Sequence, residues 1–261
     1  MAEKKWRIVL DAGHGGADPG SVYQGRQEKE DVLSLAFSVG NILTDHGFDV
    51  VYTRTEDTYE SPYEKAEIAN RSGADVLISF HRNSMQEPNS GSGAEALVYR
   101  GTGRAARIAK TLLAVLQKVG FTDLGVTERP GLALLKYTKM PAVLLEVGFV
   151  DSEEDNKRFD SQFAETASAI ADGIEKSMEQ EDQKEILYCV QVGAFRAREL
   201  AEQLLVQLES QGFPAFLVYE DGFYKTQVGA FAHLDNAVRM EQTLRQFGYN
   251  TYIAKCKSAI R

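Results

Sequence analysis

Four residues far apart in the chain have the types and settings that metal-assisted hydrolysis requires: His14, Glu28, His81 and Glu146. His14 lies in Asp11-Ala12-Gly13-His14-Gly15-Gly16-Ala17-Asp18-Pro19-Gly20, directly after the apolar run Ile8-Val9-Leu10. A loop that follows a strand lies at the strand's C-terminal end, where open α/β sheets form their sites. The loop has neither the GxGxxG order nor the Gly-Lys-Ser/Thr ending of a phosphate cradle. Its glycines offer backbone room for an imidazole to reach a metal; the plainer alternative is a tight turn with a solvated histidine. His81, in Ser79-Phe80-His81-Arg82-Asn83-Ser84, ends a second apolar strand. One histidine there is ordinarily a satisfied core or edge residue. Two, each ending a separate parallel strand, line one sheet edge.

The carboxylates differ in how clearly they stand out. Glu146 interrupts the apolar stretch Met140-Pro141-Ala142-Val143-Leu144-Leu145-Glu146-Val147-Gly148-Phe149. A buried carboxylate is costly unless it is paired, protonated or at a site. Glu28 opens a helix together with Glu30 and Asp31, where acids also serve the helix dipole. Spacing alone does not choose among those three. Two histidines, one ligand glutamate and one free glutamate make a coherent set. Catalytic zinc accepts His₂Glu and keeps a position for water. A further carboxylate can carry that water's proton to a leaving amine. His46, in the last turn of a helix, and His233, beyond a charged stretch, are poorer ligand candidates.

The elements that must position these residues alternate strand and helix. Strands are expected at Ile8–Leu10, Asp49–Thr53, Asp75–Phe80, Ala94–Tyr99, Leu132–Leu135 and Val143–Val147. Helices are expected at Asp31–Thr44, Tyr63–Arg71, Arg104–Val119 and Phe159–Met178. In the first of these, Leu33, Ala36, Phe37, Val39, Gly40 and Leu43 form the apolar side. This alternation predicts an α/β fold with a mostly parallel sheet covered on both faces.

Ser177–Lys184 is charged and nearly free of apolar residues, as expected of a linker. Beyond it, Tyr188-Cys189-Val190-Gln191-Val192-Gly193-Ala194-Phe195 recurs 36 residues later as Tyr224-Lys225-Thr226-Gln227-Val228-Gly229-Ala230-Phe231. A helix and a strand pattern follow each copy, so a single βαββαβ (ferredoxin-like) α+β domain is expected rather than a solenoid. Its first and last strands are then antiparallel neighbours, which predicts that Cys189 and Cys256 lie close together. Neither cysteine has metal-ligand spacing.

With 261 residues and 43% hydrophobic content, the chain can hold one large domain and one small one. A net charge of -9 and a pI near 5.1 oppose binding to nucleic acid or anionic lipid. No stretch approaches the roughly 20 apolar residues of a membrane span. The run Ile8–Leu10 is too short for a signal-peptide core, so synthesis in the cytoplasm without an export address is expected.

From about Arg7 to Ser177 the chain resembles the zinc-dependent N-acetylmuramoyl-L-alanine amidases of the LytC/AmiC type (amidase_3). The resemblance rests on the DAGHGG…DPG loop, the QEKE helix start, Thr53–Asp57 (TRTED), Ala69-Asn70, SFHRNS and PAVLLEVGFV, in that order. It implies a six-stranded, largely parallel sheet sandwiched by helices, one zinc held by His14, Glu28 and His81, and Glu146 as acid/base. The implied reaction cleaves the amide between N-acetylmuramic acid and L-alanine in peptidoglycan. Two departures, Lys65 in place of the usual arginine and Val150-Asp151-Ser152 in place of an asparagine, are expected to bear on substrate contacts and not on the ligands. The stretch between His81 and Glu146 is short, which implies that an inserted autoinhibitory helix is lacking and the cleft is open.

The C-terminal repeat resembles a SPOR domain, a peptidoglycan-binding module, and Tyr188, Phe195, Tyr224 and Phe231 are its candidates to stack on sugars; aromatics at strand ends also commonly pack in cores. The expected domains are 1–178 (catalytic), 179–186 (linker) and 187–261 (SPOR-like). The arrangement is similar to sporulation amidases that lyse the mother-cell wall. The alternatives are a non-catalytic peptidoglycan-binding protein and a zinc peptidase acting on stem peptides.

Overall fold

Ile8, Val9 and Leu10 are fully buried in β1 (Arg7–Ala12), and they face opposite ways. Ile8 and Leu10 enter one apolar cluster and Val9 another, as the two-residue period of a strand covered on both sides requires. The computed structural model describes residues 5–182, 187–231 and 233–256. The chain divides into two units, one up to Glu181 and one from Asp182.

After β1 come the short strands β2 (Val22–Tyr23) and β3 (Arg26–Gln27), then α1 (Glu28–Asp45) and β4 (Asp49–Tyr52). They are followed by α2 (Pro62–Ser72), β5 (Val76–Asn83), β6 (Ala94–Val98) and α3 (Gly103–Lys118). The unit is completed by β7 (Asp123–Glu128), α4 (Ala133–Tyr137), β8 (Ala142–Phe149), α5 (Glu153–Ser161) and α6 (Phe163–Asp182). Six strands form one sheet in the order β4-β1-β5-β8-β6-β7. Neighbours run parallel except β6 and β8, so β6 and β7 point the other way. Residues of α1, α3 and α6 cover one face, and those of α2 and α4 cover the other.

Local chemistry sets the helix ends. Ser61 and Glu64 form a reciprocal capping box at α2, Pro62 takes its first turn, and Gly73 closes it at φ 66°. The buried stripe of α1 is Val32, Leu35, Ala36, Val39, Gly40 and Leu43. Leu33 and Phe37, expected on that stripe, flank it half-buried.

Three sequence expectations are corrected. Leu132–Leu135 is not a strand: Ala133–Tyr137 is helical, with Leu134 and Leu135 buried against the sheet. A four-residue apolar run cannot tell strand from helix. The sixth strand is β7, an edge strand too exposed and polar to read from its pattern. The helix expected over Phe159–Met178 is two helices, α5 and α6, broken at Gln162. Finally, α6 continues through Asp182, since Glu and Gln propagate a helix without an apolar face. The first residues of the expected 179–186 linker are therefore helical; residues 183–186 lie outside the described residues.

The second unit is β9 (Leu187–Phe195), α7 (Arg198–Ser210), β10 (Ala215–Glu220), β11 (Phe223–Phe231), α8 (Leu234–Gln246) and β12 (Tyr252–Cys256). Its sheet is antiparallel, in the order β10-β11-β9-β12, the split-βαβ arrangement. Val190, Leu208, Phe213, Val228 and Leu244 form its core. Asp221 and Gly222, both at positive φ, make the two-residue β10–β11 turn. Cys189 lies opposite Ala254 and Cys256 opposite Leu187, so the cysteines are diagonal neighbours, and both are free thiols.

Candidate metal centre

β1, β5 and β8 run parallel, so their C-terminal ends lie side by side at one sheet edge. The loop after β1 carries His14, the last part of β5 carries His81, and β8 carries Glu146. Glu28 is the first residue of α1, at the same edge. His81 and Glu146 are register partners across β5 and β8.

Ligand atoms of His14, Glu28 and His81 lie within 4.8 Å of one another, a possible His-Glu-His metal site. Glu28 stands between the rings: its Oε1 is 3.1 Å from Nε2 of His14 and 2.9 Å from Nδ1 of His81. The Arg82 amide donates to the same oxygen at 3.0 Å, and the Ser21 amide donates to Oε2 at 2.9 Å. Among the three acids at this helix start, Glu28 alone is turned to the rings. Asp31 takes Arg26 and Arg82, and Glu30 is exposed.

Two glycines are required by close approach. A Cβ on Gly13 would enter the His81 ring. One on Gly20, at φ +69°, would come within 2.6 Å of Glu28 Oε2 and 2.7 Å of the His14 ring. His14 is itself left-handed at φ 58°, an unusual conformation for a non-glycine residue. Its Nδ1 is held by Asp18 Oδ2 at 2.8 Å, which leaves Nε2 facing Glu28.

The electrostatics suit a cation. Burial works against charge on the His14 ring, but the Glu28 and Asp18 carboxylates outweigh it and raise its pKa to about 9. Burial likewise disfavours the Glu28 carboxylate, yet bonds to both histidines hold it well below the ordinary carboxylate range. Glu146 moves the other way. Burial raises it, the histidines oppose this, Glu28 and Glu95 add to it, and it reaches about 7. Its Oε2 is buried and accepts no hydrogen bond from the protein. A carboxylate with a free buried oxygen and proton affinity near neutrality is suited to moving protons.

Sequence reasoning missed Asp18, Asp11, Arg54 and Glu95. Asp18 orients His14 in the manner of a metal ligand's outer partner, and its spacing of four residues from His14 was the available signal. Glu95 pairs in register with Glu146 across β6 and β8, placing three site side chains in one row. Lys65 was expected to bear on substrate contacts; it is instead 3% exposed and its Nζ reaches the His14 carbonyl at 3.2 Å. Asp151 and Ser152 are also internal: Asp151 accepts from the Met85 amide and Ser152 caps α5. Residues between β5 and β8 are taken up by β6, α3, β7 and α4, whose buried residues pack in the core. His46 caps α1 and bonds Glu175, and His233 is exposed at the start of α8.

In the second unit the four aromatics form two cross-strand pairs, Tyr188–Phe231 and Tyr224–Phe195, at opposite ends of the β9–β11 ladder. All four are half-buried. Each repeat folds its phenylalanine ring onto its own glycine, Phe195 over Gly193 and Phe231 over Gly229. The repeated Gly-Ala-Phe is thus a packing unit. The more exposed rings are Tyr219, Phe247 and Tyr252.

Among the described residues no helix is long and apolar enough to cross a membrane. The family profile described as N-acetylmuramoyl-L-alanine amidase matches residues 8–176, and the SPOR domain profile matches residues 184–255. A sporulation-specific N-acetylmuramoyl-L-alanine amidase of Bacillus subtilis is 34% identical, over 82% of this chain and 85% of that protein. The amidase CwlM of Bacillus licheniformis is 33% identical over the same shares, 82% and 85%. Among solved structures, an N-acetylmuramoyl-L-alanine amidase from Clostridium difficile 630 aligns with TM-score 0.65 and 29% identity, covering 68% of this chain and 98% of that one. The catalytic domain of CwlV from Bacillus (Paenibacillus) polymyxa aligns with TM-score 0.62 and 31% identity, covering 67% and 98%. A parallel sheet edge bearing two histidines and two glutamates, matched over its whole length by this profile, means that the chain belongs to the N-acetylmuramoyl-L-alanine amidase family, hydrolases of a peptidoglycan amide bond, and carries a SPOR domain that binds the cell wall.

Proposed function

We propose that His14, Glu28 and His81 hold one zinc ion and that Glu146 is the catalytic acid/base in hydrolysis of the N-acetylmuramic acid–L-alanine amide. The observation that carries this reading is the convergence of two imidazoles and a carboxylate beside a second carboxylate whose buried Oε2 lacks a partner. The donor set fits: two nitrogens and one oxygen suit zinc and leave room for water. When bound, the ion supplies Lewis acidity that acidifies water and polarises the amide carbonyl. The chain's own residues do the rest. Asp18 orients the His14 ring, and Glu28 is held by the Ser21 and Arg82 amides. Glu146 accepts a proton from the attacking water and delivers it to the L-alanine nitrogen as the C–N bond breaks. The products are a lactyl carboxylate on the sugar and a free amine on an intact stem peptide.

Residues 1–178 serve as the catalytic domain and 187–261 as the wall-targeting domain, joined by 179–186. Tethering a wall-binding module raises the local concentration of the catalyst at its substrate. Tyr188, Phe195, Tyr224 and Phe231 are the proposed glycan contacts, one cross-strand pair at each end of the β9–β11 ladder. The proposed setting is synthesis in the cytoplasm of a sporulating cell and action on the cell wall; the likeness to the Bacillus subtilis sporulation-specific amidase supports the link to sporulation. Mass spectrometry of digested peptidoglycan tests the reaction. A new amine on L-alanine of an intact stem supports it, cleavage within the stem supports a peptidase, and no cleavage supports a wall-binding protein.

A further inference from the structure

The loop that carries His14 rests on two buried cations, and we propose that one of them, Lys65, is a positioning residue for the metal centre. It fixes the backbone at Ala12–His14, so that the His14 ring faces Glu28 and His81 before an ion arrives. The inference rests on the reading of His14, Glu28 and His81 as ligands.

Lys65 Nζ donates to the Ala12 carbonyl at 2.5 Å and the His14 carbonyl at 3.2 Å, and it pairs with Asp11 Oδ1 at 3.1 Å. An ammonium has three protons, and here each has an acceptor. Asp11 is fully buried; Thr53 Oγ1 and Ser79 Oγ each donate to it at 2.5 Å. From the other side, Arg54 donates Nε to the Ala12 carbonyl at 3.0 Å and Nη2 to the Gly13 carbonyl at 2.9 Å. The Gly13 amide donates to the Phe80 carbonyl at 3.0 Å. Three successive carbonyls are thus turned inward onto fixed cations, and each peptide plane moves as a rigid piece. His14 is left in the left-handed conformation at φ 58°, which an L-residue keeps only when its surroundings impose it.

Lys65 comes from α2, 51 residues along the chain from His14, and its ammonium bonds backbone carbonyls and Asp11 instead of the ligand side chains. Its charge also has the wrong sign for attracting a metal ion. Charge and positioning therefore predict opposite outcomes when the ammonium is removed. If the charge were what mattered, Lys65→Met would bind a divalent cation more tightly. If positioning matters, it binds more weakly.

The test titrates the full-length, metal-stripped chain with Co²⁺, reading the visible ligand-field band, with Zn²⁺ competition giving the zinc affinity. Lys65→Met is expected to weaken binding by about 10- to 100-fold, the range for outer-shell partners, and to alter the band. Lys65→Arg, which keeps donors toward the carbonyls, is expected to recover most of the affinity. Should Lys65→Met fail to fold because Asp11 is left buried and unpaired, the Asp11→Asn/Lys65→Met pair removes both charges and must show the same weakening. Affinity and band equal to wild type, or tighter binding, overturn the positioning role alone. A wild-type chain that takes up no cobalt overturns the metal centre and the inference together.

Discussion

At and around the candidate metal centre the first unit buries Asp11, Glu28, Arg54, Lys65 and Arg82. In the second unit the buried polar side chains among the described residues are Thr226 and Gln227. Both units have a sheet packed on helices, so the difference is not one of architecture. A buried charge is costly and persists where each proton and lone pair finds a partner. In the first unit the cations are partnered by backbone carbonyls of the loop and ladder and by carboxylates, as Arg82 is by the Val147 and Phe149 carbonyls and Asp31, while the carboxylates accept from hydroxyls, amides and Lys65. Such a network holds irregular backbone in one conformation, which a reactive site needs. The second unit holds its sheet by apolar packing and ladder hydrogen bonds, which suffices for a binding surface.

This contrast can be broken by substitution. The largest effect is expected for Glu146→Gln, with a loss of about 10²- to 10⁴-fold in the hydrolysis rate at unchanged zinc content, measured as muropeptide release alongside metal analysis. Cleavage at the wild-type rate would remove Glu146 from the reaction.

Asp11→Asn comes next. It leaves Lys65 buried without its charge partner, and about 3–5 kcal/mol of stability should be lost at neutral pH in chemical denaturation. The pH dependence has a definite sign. Burial would raise the Asp11 carboxyl, but Lys65, Ser79 and Thr53 hold it below its ordinary value of 3.8. A depressed folded pKa gives stability that is present above the unfolded value and lost as pH falls toward the folded one. The gap between wild type and Asp11→Asn should therefore narrow below about pH 4. A gap independent of pH would mean that Asp11 is not ionised in the fold.

Leu244→Ala opens a cavity in the core of the second unit and should cost about 2–5 kcal/mol there. Calorimetry should show one transition falling while hydrolysis of soluble fragments stays unchanged. Loss of that activity would show that the units do not act separately. The smallest effect is expected at Ser61→Ala, which removes the α2 capping box and should cost about 1 kcal/mol in thermal unfolding.

The site was legible to the extent that its residues carried local signals. His14 and His81 follow apolar strands, and Glu146 interrupts one. Glu28 could not be separated from Glu30 and Asp31 by spacing, because all three share one helical turn; the fold separates them by which faces the rings. Asp11, Arg54 and Glu95 were invisible because their partners lie on other elements. Thr53, just past the end of β4, and Asp11 in β1, for example, meet although 42 residues apart in the chain. The misread elements share a cause. Leu132–Leu135 is apolar enough for a strand but too short to have a period, while β7 is an exposed edge with almost no apolar signal.

Residue type and order by themselves determined the alternation of strands and helices, the repeat in the second unit, and the candidates His14, His81 and Glu146 with an acid at the start of α1, because periodicity and side-chain chemistry are local properties. Tertiary structure alone decided that Glu28 is the acid that meets His14, His81 and Glu146 at one sheet edge, that Glu95 stands beside Glu146, and that Lys65 lies under the loop instead of in the cleft. Each of these is a contact between elements distant in the chain, and only parallel strand pairing and the packing of α1 and α2 on the sheet bring such residues within hydrogen-bonding range.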